Sequence, residues 1–211
     1  ETQNFHIRCD VDRGPNGKFL GSVGEAKSTK EATSAGRKPD RSAQAGFWPD
    51  KTLEIEPVPP NDARIVWEWH MWDHLIQNYD AEKANYGDPS LHPELIDING
   101  DGEPPKVDPA ELARLKALGY VPAGTKQGDI GSDLLHMNAV AYHAELDQIA
   151  LSTPRFNEVW IIDHGTTTAE AAGHTGGRWK KGGDLLFRWG NPRAYSRGTK
   201  EHQTLFGQHD I

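Results

Sequence analysis

Apolar residues are densest between residues 136 and 189, where runs of strand length alternate with turn-forming clusters. Four strands are predicted there: Met137–His143, Gln148–Ser152, Glu158–Asp163 and Asp184–Trp189. Residues 144–147 form a short hairpin connection between the first two, and a glycine-rich excursion, 165–183, separates the last two. Four successive antiparallel strands are the unit of a β-propeller blade. A second such unit stands upstream, as a search for internal repeats reveals. There Phe5–Asp10 and Lys18–Glu25 flank a Gly-Pro-Asn-Gly turn, and Thr52–Glu56 and Arg64–Trp69 follow. The closing strands of the two units match in character, each an apolar strand that ends on a tryptophan, Trp69 or Trp189.

The stretch from Met71 to Ser132 departs from this strand pattern. Its clearest element is a helix, because Asp108 supplies an N-cap, Pro109 fits the first helical position, and Glu111 precedes Leu112, Leu115 and Leu118. Gly119 stops it. The expected plan is therefore all-β, a β-propeller with a partly helical insertion. It has one blade over 1–70, an inter-blade insertion over 71–132, a second blade over 133–192, and a linker with the start of another blade over 193–211. Two blades and a stub fall short of the roughly four to eight that close a ring, so the chain reads as part of a longer propeller.

Composition agrees with a turn-rich architecture. The 211 residues include 22 glycines and 14 prolines, above their usual combined share of roughly 12%. Mean hydropathy is −0.72, and no run of about 18 apolar residues offers a membrane span. A net charge of −8 leaves no electrostatic footprint for nucleic acid. The single cysteine, Cys9, excludes an internal disulfide and a thiolate zinc cluster. The N-terminal residues carry no signal-peptide pattern, and the chain opens on Glu1, as processing or a longer parent chain would give.

Candidate chemistry concentrates on histidine. His6, His136 and His209 each stand at the beginning of a first blade strand, the strand that lines a propeller's channel. Three imidazoles brought to one axis suit metal ligation or nucleophilic and acid–base work near neutral pH. A histidine at a strand end also serves simply as a part-exposed residue. Asp133 and Asp210 are the carboxylates beside them. His70 and His74 form an i, i+4 pair that a helix would place on one face, although Met71 stands where the HExxH zinc motif requires Glu.

Asp97, Asn99 and Asp101 occupy positions 1, 3 and 5 of a calcium-type loop, with Gly102 at the turn position, Glu103 next and Asp108 at position 12. The loop reads as a Ca2+ site or as an Asp/Asn/Gly turn. The stretch from Gly165 to Arg178 lacks the GxxxxGK[ST] spacing and reads as a hairpin insertion at the channel mouth, not a phosphate cradle.

Several segments together resemble the bacterial aryl sulfotransferase family. They are Asp133-Leu-Leu-His136-Met-Asn138, Leu151-Ser-Thr-Pro-Arg155 through Asp163, the Gly182-Gly-Asp to Asn191-Pro run, and Gly207-Gln-His209-Asp. The resemblance runs from about Phe5 to the C-terminus and is most specific over 133–211. It implies a six-bladed propeller exported to the periplasm or beyond. The activity it implies is sulfuryl transfer from a phenolic sulfate ester to a phenol through a sulfohistidine, with no nucleotide sulfate donor and no required cofactor. By the same resemblance His209 would be the nucleophile, His136 and Asn138 would bind the sulfuryl oxygens and aid proton transfer, and Arg155 would clamp the sulfate. His6 is a further candidate by its strand-start position. Two other classes stay open on the sequence: a non-catalytic propeller binding module, and a metal-dependent hydrolase built on the histidine cluster.

Overall fold

The computed structural model describes residues 6–41, 46–102, 107–118, 123–127 and 132–211, with the backbone alone for residues 6–10. The chain is mostly β-sheet. Strands β1 (His6–Arg13), β2 (Phe19–Gly24), β3 (Asp50–Val58) and β4 (Asp62–His70) pair in sequence order as one antiparallel sheet. Two short strands, β5 (Leu75–Ile76) and β6 (Ile96–Asp97), pair in parallel. A second four-stranded antiparallel sheet follows from β7 (Ala139–His143), β8 (Gln148–Thr153), β9 (Glu158–Asp163) and β10 (Phe187–Trp189), again in sequence order. Neither sheet closes on itself among the described residues.

All eight strands of the two expected units form. The predicted helix forms as α2 (Pro109–Ala117), with the Asp108 carboxylate accepting from Glu111 N. Short helices α1 (Thr29–Ser34) and α3 (Thr168–Ala171) each begin with a capping box, Ser28 with Glu31 and Thr167 with Glu170. The closing strand of the second sheet is shorter than its apolar run. Leu186 N still bonds Ile161 O at 2.8 Å, but Leu185 N turns to Glu94 O at 2.9 Å and Asp184 is drawn to His74. A tertiary partner thus outcompetes the local strand pattern at 184–185.

The sheets share one apolar core. Period-2 alternation sends Trp67 and Trp69 of β4 inward, as it does Trp160 and Ile162 of β9. Trp69 and Trp160 are fully buried, with Leu20, Ile149, Leu151 and Phe156 in the same cluster. Hydrogen bonds cross between the sheets and their loops. Trp67 Nε1 donates to Thr166 Oγ1 (3.1 Å), Trp69 Nε1 to Gly183 O (2.7 Å), and Tyr142 N to an Asp12 carboxylate oxygen (2.8 Å). A buried indole N–H needs such a partner, so each tryptophan fixes position as well as filling volume. Among the described residues, no helix is long and apolar enough to cross a membrane.

Candidate active site

Residues 132–138 run from the first sheet to the second and are pinned on both sides. Trp48 pairs with Asp133 as a parallel bridge, Trp48 N donates to Ser132 O (2.6 Å) and Leu134 N to Trp48 O (3.1 Å). Farther along, Met137 N donates to Asp50 Oδ2 (2.8 Å) and Asn138 N to Ser152 O (3.3 Å). His136 lies between these anchors with φ of 52°, a left-handed conformation uncommon for a residue with a Cβ. Its Nδ1 sits 2.6 Å from Asp133 Oδ2. An ionised carboxylate only accepts, so Nδ1 carries the hydrogen and Nε2 is left to exchange protons with a substrate.

Arg155 is on the turn between β8 and β9, where its backbone N donates to Leu135 O (3.3 Å), next to His136. Its guanidinium is largely buried, and no acceptor among the described residues meets Nε or Nη2 within hydrogen-bond distance. The nearest carboxylate oxygen is Asp101 Oδ2, 3.8 Å from Nη2. Burial holds the Arg155 pKa below its ordinary value, against the raising influence of Asp101 and Asp133. The C-terminal segment crosses the same turn. Gly207 N donates to Asn157 Oδ1 (2.7 Å), Gln208 Nε2 to Glu158 O (2.8 Å), and Asn138 Nδ2 to Gln208 O (2.8 Å). His209 thereby comes beside His136, with ring centroids 6.4 Å apart and planes at 62°. Asn138 Oδ1 and Gln208 Oε1 are buried without a hydrogen-bond partner among the described residues.

The segments that carry four sequence-predicted residues, His136, Asn138, Arg155 and His209, are thus brought together by the Arg155–Leu135 and Asn138–Gln208 bonds and the His136–His209 ring contact. His6 opens β1 opposite Gly24, but its side chain lies outside what is described.

The candidate calcium loop has another use. Asp101 is buried and grips Arg37 with both oxygens, at 2.5 and 2.8 Å, and also meets Arg41 at 3.2 Å. Asn99 bonds Lys38 N and Gly36 O, and Asp97 Oδ1 caps Asn99 N. Burial pushes the Asp97 pKa up, against the lowering influence of the Asn99 N–H bond and of the Lys38 and Arg37 charges. Asp108 spends its carboxylate capping α2, and Glu103 lies outside the described residues. Guanidinium groups therefore supply positive charge at Asp101.

The pair His70 and His74 is also split, because His70 ends β4 and a 3-10 turn, Met71–His74, follows in place of an α-helix. His70 contacts Glu25 (3.3 Å) and Glu68 (3.1 Å), and the Glu25 hydrogen bond raises its pKa. Burial alone would raise Glu25, yet hydrogen bonds from His70 and Lys27 hold it at about 2.

His74 points inward instead and meets two groups that sequence reasoning did not connect with it. Its Nδ1 lies 2.8 Å from Asp184 Oδ1, and His174 Nδ1 reaches the same oxygen at 2.7 Å. His174 comes from the glycine-rich excursion, 100 residues after His74, and Asp184 follows His74 by 110. No spacing rule links residues so far apart, and the sole sequence signal is that each is a histidine or aspartate in a turn-rich stretch. Comparison with protein-family models, curated proteins and solved structures returns no match for this chain.

Proposed function

We propose that this chain carries the sulfuryl-transfer centre of an aryl sulfotransferase-like β-propeller enzyme, the two four-stranded sheets being adjacent blades. The observation that carries the reading is the largely buried Arg155 guanidinium with two N–H-bearing nitrogens lacking acceptors, on the turn that also holds the His136 and His209 segments. A buried cation with open donors suits an oxyanion, and a sulfate ester offers three such oxygens.

In this reading an imidazole nitrogen of His209 attacks sulfur and the bond from sulfur to the aryl oxygen breaks. The electron pair leaves on the phenolate, which takes a proton from Nε2 of His136 in its imidazolium form, and the sulfuryl group stays on His209. A second phenol then returns its proton to His136 as its oxygen attacks sulfur and the nitrogen–sulfur bond breaks. Asp133 accepts from His136 Nδ1 throughout, which leaves Nε2 as the nitrogen that loses and regains the proton, and Arg155 offsets charge on the equatorial oxygens.

The test is release of 4-nitrophenol from 4-nitrophenyl sulfate in the presence of phenol, with mass spectrometry for a sulfuryl adduct. His209→Ala is expected to abolish turnover and the adduct. Arg155→Met should lower turnover by about 10²–10³-fold, the usual cost of losing one oxyanion donor, while the fold persists. Normal turnover in His209→Ala, or none in the folded wild-type protein, overturns the reading.

A further inference from the structure

The cluster of His74, His174 and Asp184 is separate from the centre above and built from other elements. Its three candidate ligand atoms lie within 4.8 Å of one another, the one such group of three or more among the described residues. His74 is fully buried, its ring stacked on Trp69 at 5.7 Å and 5°. Its Nε2 lies 2.8 Å from Ala171 O. A carbonyl oxygen only accepts, so Nε2 carries the hydrogen, and Nδ1 of the neutral ring presents its lone pair to Asp184 Oδ1. The 2.8 Å contact is closed either by a proton or by a cation that both atoms ligate. The His174 ring meets the His74 ring edge-on at 5.7 Å and brings a second nitrogen to the same carboxylate.

The surroundings resemble those of a metal ligand set. A histidine ligand commonly donates its other N–H to a backbone carbonyl, which fixes tautomer and ring orientation, as Ala171 does for His74. Gly183 is required beside it, because a Cβ there would stand 2.0 Å from Ala171 O and 2.6 Å from His74 Nε2. His174 is 58% exposed and borders a cleft of about 530 Å³ whose walls include Trp72, Asp73, Tyr86 and His92. The cleft provides an entry path and a side from which solvent completes the coordination.

We infer that His74 Nδ1, His174 Nδ1 and Asp184 bind a divalent transition-metal ion of the zinc class, with a fourth position open to this cleft. Two imidazoles and one carboxylate are a borderline-soft set that suits zinc over calcium or magnesium. Bonds of about 2.0 Å in a tetrahedron place ligand atoms about 3.3 Å apart. The present 2.7 and 2.8 Å separations must therefore open by about half an ångström, the first by a shift of His174 on its exposed loop and the second by rotation of the Asp184 carboxylate. The ion would tie the turn after β4 to the excursion before β10.

The experiment is calorimetric titration of chelator-stripped protein with zinc chloride, alongside elemental analysis of protein purified without chelator. One zinc per chain is expected, with a melting temperature raised by about 5–10 °C at a hundredfold excess over Kd. His174→Ala removes an exposed ligand and should lose both effects while melting like stripped wild type without metal; His174→Gln serves if that variant does not fold. His92→Ala and His209→Ala should bind as wild type, which separates this site from the cleft wall and from the proposed sulfuryl-transfer centre. No uptake by stripped wild type, or wild-type binding by a folded His174 variant, overturns the inference and leaves the three side chains as a hydrogen-bonded clasp.

Discussion

Replacing Arg188 with methionine isolates the cost of a buried carboxylate. In the native protein Glu158 is fully buried at the start of β9, and Arg188 of β10 meets both its oxygens, through Nε at 3.1 Å and through Nη2. The remaining donor, Nη1, reaches Leu95 O at 3.0 Å, and the guanidinium lies 4.2 Å from the Tyr195 ring centroid. Methionine keeps much of the volume but leaves the Glu158 carboxylate, among the described residues, with only the Trp160 indole as a donor (2.8 Å). Breaking one side of a buried ion pair costs about 3–5 kcal/mol, which for a chain of this size lowers the melting temperature by about 6–20 °C. Burial already raises the Glu158 pKa against the opposing pull of Arg188, and losing the arginine raises it further. A carboxyl with a raised folded-state pKa favours the folded state at low pH and loses that advantage as pH rises, so the deficit should be larger at pH 8 than at pH 5. Thermal melts at both values, with a Glu158→Gln/Arg188→Met double variant regaining part of the loss, test this. A melting temperature within 1 °C of wild type at pH 8, or an equal deficit at both values, would refute the reasoning.

The contact of Glu25 with His70 predicts a bell-shaped effect. The Glu25 share of stability exists above about pH 4.3 and is lost as pH falls toward its folded value of about 2. The His70 share is complete below about pH 6.5 and is lost as pH rises through its raised value. The melting difference between wild type and His70→Ala should therefore peak near pH 5–6.5 and shrink at both extremes; a flat difference contradicts the assignment. Trp69→Phe removes the donor to Gly183 O and loosens the stack on His74, so urea unfolding should show a loss of about 1–3 kcal/mol. An unchanged midpoint would mean that the bond is replaced by solvent.

The strands were legible because each buries one face and so alternates in sequence, and β8 and β9 fall within a residue of the expected bounds. The α2 boundaries were legible from the Asp108 cap and Pro109. The gathering of His136, Asn138, Arg155 and His209 followed from resemblance and blade position, not from local pattern. What escaped is long-range polar pairing. Asp101 and its neighbours fit both a calcium-loop template and a plain turn, and nothing near it announces Arg37, 64 residues away. His74 looked like the partner of His70, four positions back, but its hydrogen-bonding partners are Ala171 and Asp184, 97 and 110 residues on. Hydrophobic periodicity reports which side of an element faces inward; it does not report which distant charge waits there.

The bonds that join the two sheets connect residues 99 to 130 positions apart: Trp67 to Thr166, Trp69 to Gly183 and Tyr142 to Asp12. The chain between them passes through exposed residues Ala123 and Gly124. A single cut there would sever the covalent path but none of these bonds, and the two pieces would each carry a complete four-stranded sheet. The protein is thereby suited to division into complementing halves, which should co-elute when expressed together and separate when Trp67 and Trp69 are both replaced.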